Sequence, residues 1–297
     1  MSGLRSRWEA LSPNMRGIAW MMLASICYPS MATLIKMVSL EGYHSLQITF
    51  FRCAFGLLSI LPFIAGDMRE ALKTTRPGLH LCNAVNVLGA IFFSVFAFIA
   101  LPLAQAVAIT FTKPLWMTVL AVPFFGEKLG WRRTGALLAG FGGVMLITRP
   151  GFVTLELGAI AALIAALGFA GQSLFGKKLA ATDSGATIVF YSVVGATVLS
   201  LFPALTVWKP VTAEVFMLGV AIGILGTLAQ ITTIRAVRVG EAGAVAPFDY
   251  FRLLYAGIYG YLIFGEAPDA WTWAGAGVIV VSTLYIAQRE RTRTVGT

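Results

Sequence analysis

Two cations stand in the middle of apolar sequence, and their surroundings are alike. Lys113 lies in FTKPLWM and Arg252 in YFRLLYA, each followed three positions on by an aromatic residue, Trp116 and Tyr255. A charge inside hydrocarbon costs about 3 kcal/mol on insertion scales and normally faces a partner or a water-filled cavity. Two kinds of chemistry are open to such a group. It can neutralise a carboxylate of its own chain: Asp249 stands at i, i+3 from Arg252, and Lys113 can staple the bundle by bonding backbone carbonyls. Alternatively it can hold an anionic group of a solute. Pro114, next to Lys113, removes a backbone donor. Membrane helices tolerate that loss where water or a neighbouring side chain repairs the ladder, and Lys113 is placed to make the repair beside a wet cavity.

Other polar residues interrupt the apolar runs. His80, Asn83 and Asn86 are spaced by three in GLHLCNAVNVLG, and Tyr28, Gln172, Gln230 and Thr233 punctuate other segments. Interhelical hydrogen bonding is the ordinary use of such groups. With Trp116, Tyr250 and Tyr255 they would also make a pocket with aromatic walls and few polar groups, suited to a small amphipathic solute. The candidate substrate-binding residues are therefore Lys113, Trp116, Asp249, Tyr250, Arg252, Tyr255, His80, Asn83, Asn86, Tyr28 and Gln230.

Catalysis lacks its parts. There is no HExxH or GxSxG, and the only histidines are His44 and His80. Cys27, Cys53 and Cys82 have no metal-type spacing and read as packed thiols. No GxxxxGK[ST] loop is present, so ATP-driven pumping by this chain is not expected. Neither cofactor nor metal is expected. The net charge of +9 does not imply nucleic acid, because its placement along the chain has another explanation.

That explanation begins with the elements. Of 297 residues, 58% are hydrophobic and 12% charged, about half the charge of a soluble domain, and the mean hydropathy is +0.82. Apolar runs long enough to cross about 30 Å of hydrocarbon recur throughout. No short alternating segments of a membrane β-barrel appear. The expected fold is an all-α integral membrane protein of ten transmembrane helices, near 15–38, 45–66, 78–101, 103–125, 133–149, 156–177, 185–207, 214–235, 240–264 and 270–288. The basic, amphipathic N-terminus lacks a cleavable apolar core and reads as a retained tail.

Sixteen of the 22 Lys and Arg fall on one side of this threading, against Arg149 and Lys209 alone in the opposite loops. By the positive-inside rule the tails 1–14 and 289–297 are both cytoplasmic. Lys36 lies near the outer end of its helix and can snorkel. Arg52 sits in the outer third of the second span. Glu127 and Glu266 follow the fourth and ninth spans and are expected to cap the next helix. Gly135, Ala139 and Gly143, and Gly219 with Gly223, read as close packing.

The halves overlay. Anchoring Gly126-Glu127 on Gly265-Glu266 puts Phe125 on Phe264, Lys113 on Arg252 and Trp116 on Tyr255, and Gly17, Ala24 and Lys36 correspond to Gly158, Ala165 and Lys177. Five helices is an odd number, so the second unit enters the membrane inverted, a pattern of secondary transporters. Two inverted five-helix repeats follow, 15–149 and 156–288. With a Gly-Glu closing the fourth helix of each half, Pro114 thirteen residues before Glu127, and the arginine of FFRCAFG early in the second helix, the chain resembles the drug/metabolite transporter superfamily with tandem EamA-type domains. The second half departs from the pattern: Leu253 stands where Pro114 would map and Tyr191 where Arg52 would.

The resemblance implies carriage of small metabolites across a bacterial inner membrane by alternating access, with the lipid bilayer and a small-molecule substrate as partners, and a working monomer. Its nearest likeness is to bacterial aromatic amino-acid exporters, which implies export of aromatic or other neutral amino acids. Uptake of a larger metabolite such as riboflavin, a nucleoside derivative or a nucleotide-sugar is the alternative, and net positive midplane charge suits an anionic solute. An intramembrane enzyme is the remote third reading.

Overall fold

A computed structural model describes residues 11–64, 72–125, 131–149 and 156–294. All of its regular structure in these residues is helical. In chain order the elements are α1 (Pro13–Leu40), α2 (Ser45–Ile64), α3 (Pro77–Ala100), α4 (Leu103–Thr110), α5 (Lys113–Phe125), α6 (Trp131–Thr148), α7 (Leu157–Leu179), α8 (Gly185–Leu205), α9 (Ala213–Val239), α10 (Ala242–Val245), a 3-10 turn (Ala246–Tyr250), α11 (Phe251–Phe264) and α12 (Ala270–Thr294). Seven described helical segments are long and apolar enough to cross a membrane, α4 and α5 counting together, and Thr134–Thr148 and Ala270–Tyr285 are shorter apolar helices. The ninth span is α10, the 3-10 turn and α11 in series; α11 alone has 14 residues, about 21 Å at 1.5 Å per residue.

Two spans thus differ from the continuous helices expected, and they break at equivalent places. The fourth span turns at Phe111 and Thr112, whose N–H groups bond the carbonyls of Ala108 and Ile109, three residues back. The ninth passes through the 3-10 turn, with Pro247 inside it. Pro114 sits in the first turn of α5, where no intrahelical N–H is required. Proline and lysine coexist for that reason: the helix starts there, and no lost bond calls for Lys113 to repair it. In the second break the hydroxyl of Ser25 on α1 donates to the Phe248 carbonyl at 2.9 Å, the side-chain satisfaction that irregular backbone needs at membrane depth.

The packing repeats under exchange of the halves. α1 runs along α9 as α7 runs along α3; α2 meets α9 as α8 meets α3; α1 meets α11 as α7 meets α5. The pairs α2 with α8 and α6 with α12 map onto themselves. Contact residues obey the same mapping. A Cβ on Gly17 would lie 2.9 Å from Gly240 Cα, and one on Gly158 would lie 2.7 Å from Leu101 Cγ. The fold is therefore a pair of inverted five-helix repeats crossing through small-residue contacts.

Of the small-residue series, Gly143 packs against Gly275, with a Cβ falling 2.7 Å from its carbonyl, and Gly219 and Gly223 take Phe55. Gly135 faces open space and Ala139 is exposed; Gly140, against Leu115, takes the place expected for them. Large side chains such as Leu58, Leu81, Phe202, Met217 and Leu262 point outward, as a hydrocarbon environment allows.

A polar cluster ties the two repeats together at one place. Lys36 is buried, not extended toward an interface: its ammonium donates to the Leu101 carbonyl at 2.8 Å and pairs with Glu266. The other Glu266 oxygen accepts from the Leu103 N–H at 2.9 Å. Glu266 therefore caps α4 in the opposite repeat and not the helix that follows it. That role falls to Asp269, which accepts from Thr272 N–H at 2.8 Å and Thr272 hydroxyl at 2.6 Å and pairs with Arg149. Glu127 lies outside the described residues.

Candidate functional site

The two helix breaks meet at the centre. The rings of Phe111 and Tyr250 are 5.0 Å apart at 56°, and the helices restarting there carry Lys113 and Arg252 in their first turns. An isolated guanidinium would be costly at this depth, and Arg252 is held from three directions. It pairs with Asp249 in the preceding 3-10 turn, and it lies over the Tyr28 ring of α1 at 4.4 Å and the Phe111 ring at 5.4 Å. Cation–π contacts of this kind gain strength where water is excluded. The Tyr250 side chain lies near Thr283 of α12, whose hydroxyl donates to the Ile279 carbonyl at 2.7 Å.

Lys113 has a different situation. It is partly exposed and within electrostatic reach of Arg252 and Asp249, yet its ammonium makes no hydrogen bond or ion pair with any described residue. Of the two uses a midplane cation can have, the internal pair belongs to Arg252 and leaves Lys113 free. Trp116, one turn along α5, stacks edge-on against Phe141 at 4.9 Å, and its buried indole N–H has no partner among the described residues. Tyr255, one turn after Arg252, leans on Tyr259, which is 3.5 Å from the Ser30 hydroxyl of α1.

Seven of the expected residues therefore lie at or within a turn of the breaks: Lys113, Asp249, Arg252, Tyr28 and Tyr250, with Trp116 and Tyr255 one turn along α5 and α11. The others lie elsewhere. His80, in the first turn of α3, sits 3.6 Å from Asp183 and against the Tyr191 ring at 4.8 Å. Asn83 donates to Ser192 of α8 at 2.7 Å and Asn86 to the Gly168 carbonyl of α7 at 2.8 Å. These three tie α3 to its neighbours, the ordinary use of polar groups between membrane helices. Gln230 is exposed on α9, off the face where Ala229 and Thr232 are buried.

Two residues at the centre were missing from the expected set. Phe111 was hidden because aromatic residues are common lipid-facing filler; its place opposite Tyr250 in the repeat was the available signal. Arg52 of α2 lies within electrostatic range of Tyr28 and donates to the Ser94 hydroxyl of α3 at 2.8 Å. A basic residue in a span with no acid in the same helix was its signal.

Ten spans in two inverted halves, each with one broken helix ending on charge at the middle, define a membrane carrier architecture. The EamA-like transporter family matches residues 15–149 and 156–288. The chain is 28% identical over 283 residues to an S-adenosylmethionine uptake transporter of Rickettsia bellii, covering 95% of this chain and 97% of that one. It is 31% identical over 280 residues to a riboflavin transporter of Vibrio cholerae, at 93% and 94% coverage. A pseudopaline exporter of Pseudomonas aeruginosa is 28% identical over 283 residues, at 93% and 97% coverage. One solved crystal structure superposes with a TM-score of 0.61 at 17% identity over 94% of this chain and 98% of that one, a likeness of fold alone. The chain belongs to the EamA-like transporter family. It is a multi-pass membrane transporter of small metabolites and not an enzyme.

Proposed function

We propose that this chain is a secondary carrier, working by alternating access, for a ring-bearing metabolite with an anionic group. The solute is held where the broken fourth and ninth spans meet. The observation that carries this reading is Lys113: a midplane ammonium with no partner among the described residues, next to an arginine that already has one. A partly exposed cation with free donors is a site for a carboxylate or phosphate, and Tyr28, Phe111 and Tyr250 offer faces for a flat ring. The repeats 15–149 and 156–288 would rock about this centre, with both termini cytoplasmic as the distribution of Lys and Arg implies.

Two relatives are named for S-adenosylmethionine and riboflavin, ring-bearing solutes larger than an amino acid, and the names include both uptake and export. Charge refines the choice. S-adenosylmethionine, with two positive groups and one carboxylate at neutral pH, suits an excess of positive charge worse than a flavin or an organic anion does. Export of aromatic amino acids is the second reading, favoured by the unpartnered Trp116 indole beside Lys113.

The test is protein-dependent flux in proteoliposomes for labelled riboflavin, nucleosides, S-adenosylmethionine, aromatic acids and aromatic amino acids, each with unlabelled competitor. Lys113→Met should lower the flux of the accepted solute at least tenfold while the protein still purifies as a monodisperse peak. Normal flux in that variant would move Lys113 out of the site. Flux of phenylalanine or tryptophan without any larger solute would favour the second reading.

A further inference from the structure

Arg52 is the second charge the central site does not neutralise. Its guanidinium offers five donors in a planar fork, and one of them meets the Ser94 hydroxyl at 2.8 Å. No carboxylate among the described residues pairs with it. Both arginines are near Tyr28: the Arg252 guanidinium lies over the ring at 4.4 Å, and Arg52 is within electrostatic range of the same tyrosine. Arg52, Lys113 and Arg252 against Asp249 leave an excess of two positive charges on the second, fourth and ninth spans, with Arg252 near both Tyr28 and Lys113.

A guanidinium fixed by a neutral hydroxyl is oriented but not compensated. Ser94 is itself held, its hydroxyl donating to the Ile91 carbonyl at 2.8 Å, so its free lone pair faces Arg52. An ionisable group at membrane depth ordinarily faces a partner or a water-filled cavity and marks a solute pathway, and the guanidinium fork matches carboxylate or phosphate geometry in a way a lysine does not. We infer that the transported solute carries two anionic groups, one received by Lys113 beside the Arg252–Asp249 pair and the other by Arg52 on Ser94, with its ring across Tyr28. This rests on the reading of the midplane as the substrate site.

Matched solutes that differ only in anionic charge test it, measured as equilibrium binding to the purified full-length protein. Benzene-1,4-dicarboxylate against benzoate probes carboxylates; riboflavin 5′-phosphate against riboflavin probes phosphate. In at least one pair the more charged member should bind about tenfold or more tightly, a difference of about 1.4 kcal/mol. Arg52→Gln should bring that ratio below about threefold, and Arg52→Lys, which keeps the charge, should preserve most of it. A purely structural arginine would weaken both members alike and leave the ratio unchanged. Should Arg52→Gln fail to fold, the wild-type ratio and its persistence in Arg52→Lys decide. Equal binding of both members in both pairs overturns the inference and leaves the midplane site standing. If no ring-bearing solute binds at all, the site itself falls.

Discussion

Phe111 and Tyr250 touch across the pseudo-symmetry axis of the molecule, their ring centroids 5.0 Å apart. They occupy equivalent positions in the two repeats, each immediately before the turn at which its span resumes as a helix. The contact places two chain breaks, and so the first turns of α5 and α11, against each other. The charges of Lys113 and Arg252 follow from that placement. A straight helix in either span would satisfy its own backbone and carry its cation at a different height. The break puts each cation in the first turn of a resumed helix segment, against the break of the other repeat.

The tie at the Lys36 end should be a major stabilising contact of this conformation. Glu266→Ala would leave the Lys36 ammonium buried with only a carbonyl partner and the Leu103 N–H uncapped, a change expected to cost about 3 kcal/mol. The double variant Lys36→Met/Glu266→Gln removes both charges together and should cost less than Glu266→Ala alone. Thermal melts of the purified protein check this. Equal melting of wild type and Glu266→Ala would show that the cluster does not hold that end.

Asp269 gives a pH signature outside the spans. Its hydrogen bond from the Thr272 hydroxyl, with the Thr272 N–H and Arg149 adding to it, holds the carboxyl below its ordinary range. A depressed pKa means the contribution is fully present above the unfolded value, near pH 4, and is lost as pH falls through the lower folded value. Asp269→Ala should therefore destabilise by about 1 kcal/mol at pH 6, the usual worth of a helix cap. The gap to wild type should close below about pH 4. A gap that persists unchanged at pH 3 would contradict this account of α12's start.

Orientation can be read directly. With Cys27, Cys53 and Cys82 replaced, a single cysteine at Ser2 or Thr297 should be shielded from impermeant thiol reagents in whole cells. One at Trp208, in the connection between α8 and α9, should react. Labelling at either terminus with none at position 208 would invert the topology.

The helices, their number and the inverted repeat were legible because each depends on composition and periodicity, which a chain carries locally. The charged pair Asp249–Arg252 was legible for the same reason: its partners are three residues apart. Contacts between repeats were not. Lys36 looked like a snorkelling lysine because its partners, Leu101 and Glu266, are 65 and 230 residues away. Asn83 and Asn86 looked equally suited to a pocket and to packing, because their partners on α8 and α7 are 109 and 82 residues away. The helix breaks were half visible. Pro114 marked the first, but it was read as a defect within a helix; the second has its proline at 247, inside the 3-10 turn and six residues ahead of the position that Pro114 maps to. Arg52 was in plain view and was passed over because it lies toward one end of its span, although its side chain reaches Ser94 and the surroundings of Tyr28.

The central claim is that a water-accessible, positively charged cavity lies where the two broken spans meet. Lys113→Cys in a background without other cysteines tests it without knowledge of the substrate, because Arg52 and Arg252 remain. The rates of modification by small anionic and cationic methanethiosulfonates of similar size are compared at low ionic strength. The account predicts that position 113 reacts in the folded protein, that the anionic reagent is the faster, and that added salt narrows the difference as screening requires. No reaction before unfolding, or faster modification by the cation, would contradict it.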